Sequence, residues 1–578
     1  MRDGTSQPWW KAATVAAAAI VFAFSWLYRF NDPGGSFAGL TDDHFFYLVR
    51  GWQILFGDLP VRDFVDHGAP LFYYVGAAVQ WFGRGTLSEV VFSVTVLSAA
   101  TALTFWLAAR ASGSILAGLV ATFVLILLEP RFYNYPKILV YALAIPALWR
   151  FADRPSHGPP FWLAVVTAVG FLLRHDHGVF VAIAFAALLA LLRDLSWRER
   201  ARHAVVYGGL VLALLAPYLL FIQFNGGLPQ YFRDASAWAA RDRVRAPVVW
   251  PGLFEETGEA MEGARAGTAP ERAVAVVRDN FVAWMFYVEL ALPVLALLVL
   301  AVSRDGFRPG WPRAAPKIAT VAVLAGVLNA GFLRSPLGAR LADPFVPHTI
   351  LIAWLMAALV RLMASRRSLR EPLQPWAVPL RAGLVLAALP FAFVLVAGMS
   401  HNFYDRLDKA ALVERPGKPF ERAGLVARQL REDWRLASWV HREYRPELTT
   451  LAMYLNTCTR PTDRVFVQPY IPQVLALSRR AFAGGHADLR PGFFNSPEAQ
   501  RLTLQRLQRQ SVPVVLLETG DSYRNFRRSF PLITPYLDEH YTLAATRVFD
   551  GRFGIQFFVR KDRAQAGRFE LLDWPCFQ

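Results

Sequence analysis

The chain has 578 residues, 54% of them hydrophobic and 14% aromatic, and carries a formal net charge of +17. Its apolar residues come in runs rather than in short alternating patterns, which excludes a single ordinary soluble domain, because runs of about 18 or more call for a bilayer. The charge does not point to nucleic acid: the arginines sit in short clusters between apolar runs, which is how membrane topology is encoded, and no soluble basic face presents them.

The first apolar run, residues 9–30, is too long for a signal-peptide core and reads as a retained span. Further long apolar segments lie near 88–109, 114–128, 177–192, 204–224, 281–302, 317–333, 345–363 and 379–400, with shorter ones near 69–82, 137–151 and 160–173. If 69–82 is a juxtamembrane or re-entrant piece and the other two short segments span, the turns bearing Arg110, Arg150 with Arg154, Arg193 to Arg202, Arg304 to Lys317 and Arg361 to Arg381 share one side. The positive-inside rule makes that side cytoplasmic, giving about 11 spans, an inward N-terminus and an outward C-terminal tail. The expected class is therefore a polytopic α-helical membrane protein. Its transmembrane body covers residues 1–400, with a first external loop at 30–87, and residues 401–578 form an extracytoplasmic α/β domain.

This topology gathers five polar groups on the outer face: 41–70, 129–137, 174–178, 225–280 and 334–343. The first is the most concentrated. Thr41 to Tyr74, TDDHFFYLVRGWQILFGDLPVRDFVDHGAPLFYY, packs Asp42, Asp43, His44, Asp58, Asp63, Asp66 and His67 among aromatic residues, broken by Gly57, Pro60, Gly68 and Pro70 into short helices and turns. Acids beside a membrane are costly unless they face water or a partner. Asp42 and Asp43 are candidate bases, and either, like Thr41, would also serve as an N-cap for the helix that begins near His44. Asp66 and His67 either line the same pocket or simply form the turn before Pro70.

An acidic pair after the first span, an amphipathic helix ending in a Gly-x-x-Pro turn, an Arg-Asp-Phe and a Pro-led aromatic segment together resemble the first external loop of the C-type glycosyltransferase superfamily. That superfamily includes protein O-mannosyltransferases, lipid A aminoarabinose transferases and bacterial polyprenyl-phosphate sugar transferases. Asp43 stands where Glu is commoner in the family, and the choice of base between Asp42 and Asp43 stays open. The resemblance implies inverting, single-displacement transfer of a sugar from a polyprenyl-phosphate donor to a hydroxyl of a glycan, lipid or protein acceptor. It implies an acidic residue in the second external loop, where Glu129 stands, and a phosphate-binding Arg in a late one.

The chemistry asks for few groups. A carboxylate takes the acceptor's proton as the oxygen attacks, and cations hold the departing phosphate, for which Arg offers a bidentate fork. Glu129, Arg131, Tyr133, Asn134 and Lys137 (EPRFYNYPK) are donor-site candidates or an interfacial belt. Arg174, His175, Asp176 and His177 form either a site or a snorkelling rim. Two His and an Asp invite a divalent ion, but positions i and i+2 on a helix face differently, so no metal or other cofactor is expected. Arg334, Arg340, Asp343 and His348 bracket a late loop in which Arg340 either meets phosphate or pairs with Asp343 at i+3.

After residue 400 the pattern changes. Strands are expected at 465–467, 512–517 and 554–559, and helices at 421–445, 497–510 and 522–539, an alternation that suggests a small α/β domain. Gly484-Gly485 is too weak a match for a phosphate loop. The two cysteines, Cys458 and Cys576, lie in this tail without CxxC partners; a disulfide is open to them if the tail is extracytoplasmic. The composition favours a bacterial inner membrane. A solute or lipid transporter and a non-catalytic glycan-assembly subunit are the rival classes; a transporter would bury ionisable groups near mid-membrane, often with matching repeats.

Overall fold

The structure is a computed structural model that describes residues 8–32, 42–128, 130–155, 160–244, 250–255, 262, 267–302, 313–334, 340–364, 406–432, 446–549 and 553–577. Its chain divides into two compact units, each assembled from separated stretches. The first comprises Met1–Ala38, Ser93–Pro217 and Asp242–Ala423, and the second Gly39–Phe92, Tyr218–Arg241 and Gly424–Gln578. The first loop therefore clusters with the C-terminal tail rather than with the spans that flank it in sequence.

Five described helices are long and apolar enough to cross a membrane: Pro8–Asn31, Thr86–Ser112, Trp197–Asn225, Phe281–Ala301 and Ala314–Gly331. Ile115–Leu127, Phe161–Leu173, His175–Leu191 and Phe345–Arg361 are apolar but shorter. Helices thus form where the apolar runs predicted them, and the expected segment at 379–400 lies outside the described residues. On Trp197–Asn225, Leu212, Leu220 and Phe224 stay exposed, which suits lipid and not water.

Local chemistry sets the element boundaries in this first unit. Ser114 opens Ile115–Leu127 by accepting a hydrogen bond from the Ala117 N–H (3.2 Å). Pro136 occupies the first turn of Tyr135–Asp153, where its missing N–H costs nothing. Helices then approach through small residues, as they do where no hydrophobic gradient drives them together: a Cβ on Gly118 would stand 2.9 Å from the Ala109 backbone nitrogen. Buried hydroxyls pair across helices, Ser25 with Ser98 at 3.1 Å.

In the second unit the helices Asp42–Leu55 and Pro70–Phe82 touch backbone to backbone, a Cβ on Gly51 falling 3.0 Å from the Ala77 nitrogen. The tail folds into a five-stranded sheet of β1 (Arg464–Val467), β2 (Ala481–Phe482), β3 (Val514–Glu518), β4 (Tyr541–Phe549) and β5 (Phe553–Arg560), in the order β2-β1-β3-β5-β4. β1 runs parallel to β2 and β3, while β5 is antiparallel to β3 and β4. Phe466, Val515, Leu517, Phe526, Phe530 and Leu537 share a buried core beside the sheet. β1, β3 and β5 lie where strands are expected; β2 is too short to be foreseen, and β4 has Ala544-Ala545, poor strand formers, at its centre. The helix expected at 522–539 is broken at Pro531 into Gly520–Ser529 and Ile533–His540, because the residue before a proline leaves the helical region. The helix expected at 421–445 is seen as Lys418–Arg431, and 433–445 lie outside the described residues.

The loop is fastened to this sheet by polar contacts. Gln53 mimics a strand edge: its Nε2 donates to the Phe482 carbonyl (3.1 Å) and its Oε1 accepts from the Phe482 N–H (3.2 Å). Arg464 grips Asp58 with both terminal nitrogens, at 2.5 and 3.0 Å, and the Val65 N–H donates to the Gly485 carbonyl (3.1 Å). Gly485 sits at φ +84°, and a Cβ there would lie 2.9 Å from the Asp63 carbonyl; only glycine fits both the left-handed backbone and that approach. Cys458 and Cys576 form a disulfide, with Cα atoms 4.3 Å apart.

Candidate functional site

The second unit contains the acid burst. Asp42 begins the helix Asp42–Leu55, and its side chain lies outside the described residues, as does Thr41. Asp43 is half-buried in the first turn, where free backbone N–H groups favour a carboxylate. Its Oδ1 accepts a hydrogen bond of 2.8 Å from the Tyr470 hydroxyl, contributed by the loop after β1. The Tyr470 ring lies 5.8 Å from that of Phe46 and carries the Arg490 guanidinium 4.8 Å over its face. Arg490 Nε in turn donates to Asp488 Oδ2 at 2.6 Å.

Phe46 is the hub of this cluster. The Arg50 guanidinium lies 3.3 Å over its ring and the His67 imidazole 5.3 Å away. Arg50 is 2% exposed, and burial pulls its pKa down against the opposing influence of Tyr73 and Asp488. Burial also holds His67 well below the ordinary histidine range, helped by the charges of Arg50, His486 and Arg490. His486 behaves likewise, lowered to about 3 by burial and then by Arg506 and Arg50. Both imidazoles are therefore neutral at physiological pH.

Asp66 has both its oxygens engaged. Oδ1 accepts from the Gly68 and Ala69 N–H groups (2.8 and 3.0 Å), closing the turn ahead of Pro70. Oδ2 accepts from the hydroxyls of Tyr218 and, at 2.8 Å, Tyr231. The turn-forming role thus accounts for one oxygen and two tyrosines for the other. His44 points away from Asp43 to Glu89, Nε2 to Oε1 at 3.1 Å, a pair that is almost fully buried.

The first unit holds a second polar cluster, drawn from three stretches far apart in sequence. Lys137 Nζ meets Asp343 Oδ2 at 2.7 Å. Arg174 Nη2 meets Asp176 Oδ2 at 2.7 Å, and His177 Nδ1 lies 3.3 Å from Asp176 Oδ1 and 2.8 Å from the Tyr141 hydroxyl. Lys137 is within electrostatic reach of both Arg174 and Asp176, so the two ion pairs form one patch. The i+3 pairing of Arg340 with Asp343 gives way to Lys137, which reaches Asp343 from 206 positions away, while Arg340 Nη1 donates to the Gly331 carbonyl (3.4 Å). His175 stacks on Phe171 at 4.3 Å while His177 turns to Tyr141, so the two imidazoles face different partners. Arg131 donates to the Tyr133 hydroxyl (3.4 Å), and Asn134 ends the short turn Phe132–Asn134 with its side chain buried. Glu129 and the Arg334 side chain lie outside the described residues.

Several residues of both clusters were not singled out by sequence. Arg50 was accessible to that reasoning, since it follows Asp43 by two helical turns and so shares its face. Tyr470, Asp488 and Arg490 carry no local signal, because what selects them is the docking of the tail on the loop. Glu289 was hidden inside an apolar run; it is 1% exposed on Phe281–Val302 and lies 3.5 Å from His348 Nδ1, which is fully buried.

No protein-family model matches the chain, and no curated protein matches it. Among solved structures it is similar to ArnT from Cupriavidus metallidurans, determined bound to undecaprenyl phosphate: 12% identity over 96% of this chain and 98% of that one, with a TM-score of 0.45. A likeness that distant carries neither activity nor residue roles to this protein.

Proposed function

We propose that the protein is an integral membrane glycosyltransferase that moves a sugar from a polyprenyl-phosphate donor to an acceptor hydroxyl on the extracytoplasmic face of a bacterial inner membrane. The observation that carries this reading is Asp43: an acid in the first turn of an amphipathic helix, in the loop whose sequence resembles the C-type glycosyltransferases, held by Tyr470, whose ring carries the Arg490 guanidinium over its face. In the proposed step the acceptor oxygen attacks the anomeric carbon while its proton passes to the Asp43 carboxylate, or to Asp42. The bond from the anomeric carbon to the phosphate oxygen breaks, its electron pair leaves with the polyprenyl phosphate, and the configuration inverts. A phosphate leaves without an acid's help, so cations rather than a second carboxylic acid complete the site.

The test is Asp42→Asn and Asp43→Asn, singly and together, scored by in-cell glycosylation. Loss of about a hundredfold or more is the scale expected for a general base, and unchanged glycosylation in all three variants would end the assignment.

One observation favours a second class. Glu289 and His348 are ionisable, buried in apolar helices and close together, a pattern that in membrane proteins marks ion or proton pathways. Substrate-dependent proton movement in vesicles, abolished by Glu289→Gln and indifferent to Asp43→Asn, would select transport over transfer.

A further inference from the structure

Glu289 presents an unusual problem in charge balance within the first unit. It stands about two turns into the apolar helix Phe281–Ala301 and is 1% exposed, and both of its carboxylate oxygens are enclosed without a hydrogen-bond partner among the described residues. A bare carboxylate among apolar helices is among the costlier things a membrane protein buries. Among the described residues the charged group within electrostatic reach of it is a second acid, Asp343, and Lys137 already answers that one.

Two simpler answers fail on geometry. Protonating His348 would supply a counter-charge, but its Nε2 is also enclosed without a partner among the described residues, so the imidazolium would bury a second N–H with no acceptor. A proton on Glu289 itself needs an acceptor, and His348 Nδ1, at 3.5 Å, lies beyond ordinary hydrogen-bond length. What the surrounding helices offer instead is oxygen. Asn329, 4% exposed on Ala314–Gly331, commits its amide nitrogen to the Glu289 carbonyl (2.7 Å), which sets the amide beside Glu289 and leaves its Oδ1 enclosed without a partner among the described residues. His348 is fully buried on Phe345–Arg361, and the three helices pack on one another.

We infer that Glu289 and Asn329, beside His348, form a site for one sodium ion inside the membrane body. The inference stands whether or not the chain is a transferase. Carboxylate and amide oxygens suit a hard cation. Charge selects a monovalent one: with Asp343 matched by Lys137, a single positive charge neutralises Glu289, whereas a divalent ion leaves an excess buried in apolar surroundings. The ligands are almost fully enclosed, so the ion is a resident that ties three helices together and not cargo in transit.

The experiment melts the full-length protein in detergent at fixed pH and ionic strength, with N-methylglucamine chloride replaced stepwise by sodium chloride. Sodium is expected to raise the Tm saturably, by about 3 °C, and magnesium chloride at matched ionic strength is expected not to. Glu289→Gln keeps the shape and removes the charge; it should lose the sodium response and, in sodium-free buffer, melt no lower than the wild type. Asn329→Ala should raise the sodium concentration needed for half the effect about tenfold. A wild type whose Tm ignores sodium, or a Glu289→Gln that responds as strongly as the wild type, overturns the site. Magnesium acting in sodium's place overturns the monovalent assignment. Should Glu289→Gln fail to fold, the wild-type titration and Asn329→Ala still decide, because an Asn329→Ala with the wild-type half-effect concentration overturns the ligand set.

Discussion

The Tyr470 hydroxyl donates a 2.8 Å hydrogen bond to Oδ1 of Asp43, 427 positions earlier in the chain. The contact joins the start of an amphipathic helix to a loop of the α/β domain, and it fixes which way the carboxylate faces. A base that must meet an acceptor proton depends on such orientation. Tyr470→Phe should therefore lower kcat about tenfold, the scale of one hydrogen bond to a charged group, with little change in KM. In an Asp43→Asn background the same change should cost nothing further in residual activity. Additive losses in that double-mutant cycle would mean that Tyr470 does not act through Asp43.

Which parts of this architecture sequence can show follows from the range of the forces involved. Apolar runs, Pro136, Ser114 and the turn at Asp66 act over a few residues, so the helices and the broken first loop were legible. The Gly485 approach, the Asp58–Arg464 grip and the Tyr470–Asp43 bond depend on the tail docking on a loop some 400 positions away, and no spacing rule encodes that. The loops at 137, 174 and 343 are an intermediate case: the distribution of arginines predicted that they share one face, and Lys137 does meet Asp343 within reach of Arg174. What that distribution could not give was the pairing: of the two roles open to Arg340, phosphate contact or an i+3 pair with Asp343, the second falls to Lys137.

The Cys458–Cys576 disulfide closes 118 positions of the chain and ties the short C-terminal strand Trp574–Cys576 to the helix Pro446–Cys458, where the Phe577 N–H also donates to the Cys458 carbonyl (2.9 Å). Closing a loop of that length removes unfolded-state freedom equivalent to about 5 kcal/mol. Protein from the native membrane should take up maleimide only after reduction, and the double variant Cys458→Ser/Cys576→Ser should melt at lower temperature. Thiols that react without reductant would argue against an oxidising, extracytoplasmic setting for the tail.

Acid should loosen the second unit. His67 and His486 are held neutral by burial and by nearby arginines, whereas in an unfolded chain both protonate near the ordinary value of 6.5. Below that pH the unfolded form binds more protons, so stability is full above about 6.5 and falls as pH drops toward the folded-state value of about 3 for His486. The slope approaches about 1.4 kcal/mol per pH unit for each proton taken up. Melting temperatures measured from pH 8 to 5 should decline, and His486→Gln should flatten the decline. An equal slope in that variant would assign the acid sensitivity to other groups.

The Lys137–Asp343 pair permits a test that separates fold from function in the first unit. Both side chains are largely enclosed, and Asp343 Oδ1 has no further hydrogen-bond partner among the described residues. Lys137→Met strands that carboxylate, a loss on the order of 3 kcal/mol when one partner of an enclosed pair is removed. Lys137→Met/Asp343→Leu removes both charges and should return the melting temperature to near the wild-type value, because an apolar pair of similar volume replaces an ion pair at little cost. If Lys137 also serves the donor or acceptor, glycosylation stays lost in the stable double variant, which is the expected result. Recovery of activity together with stability would make the pair a structural clasp and remove Lys137 from the site.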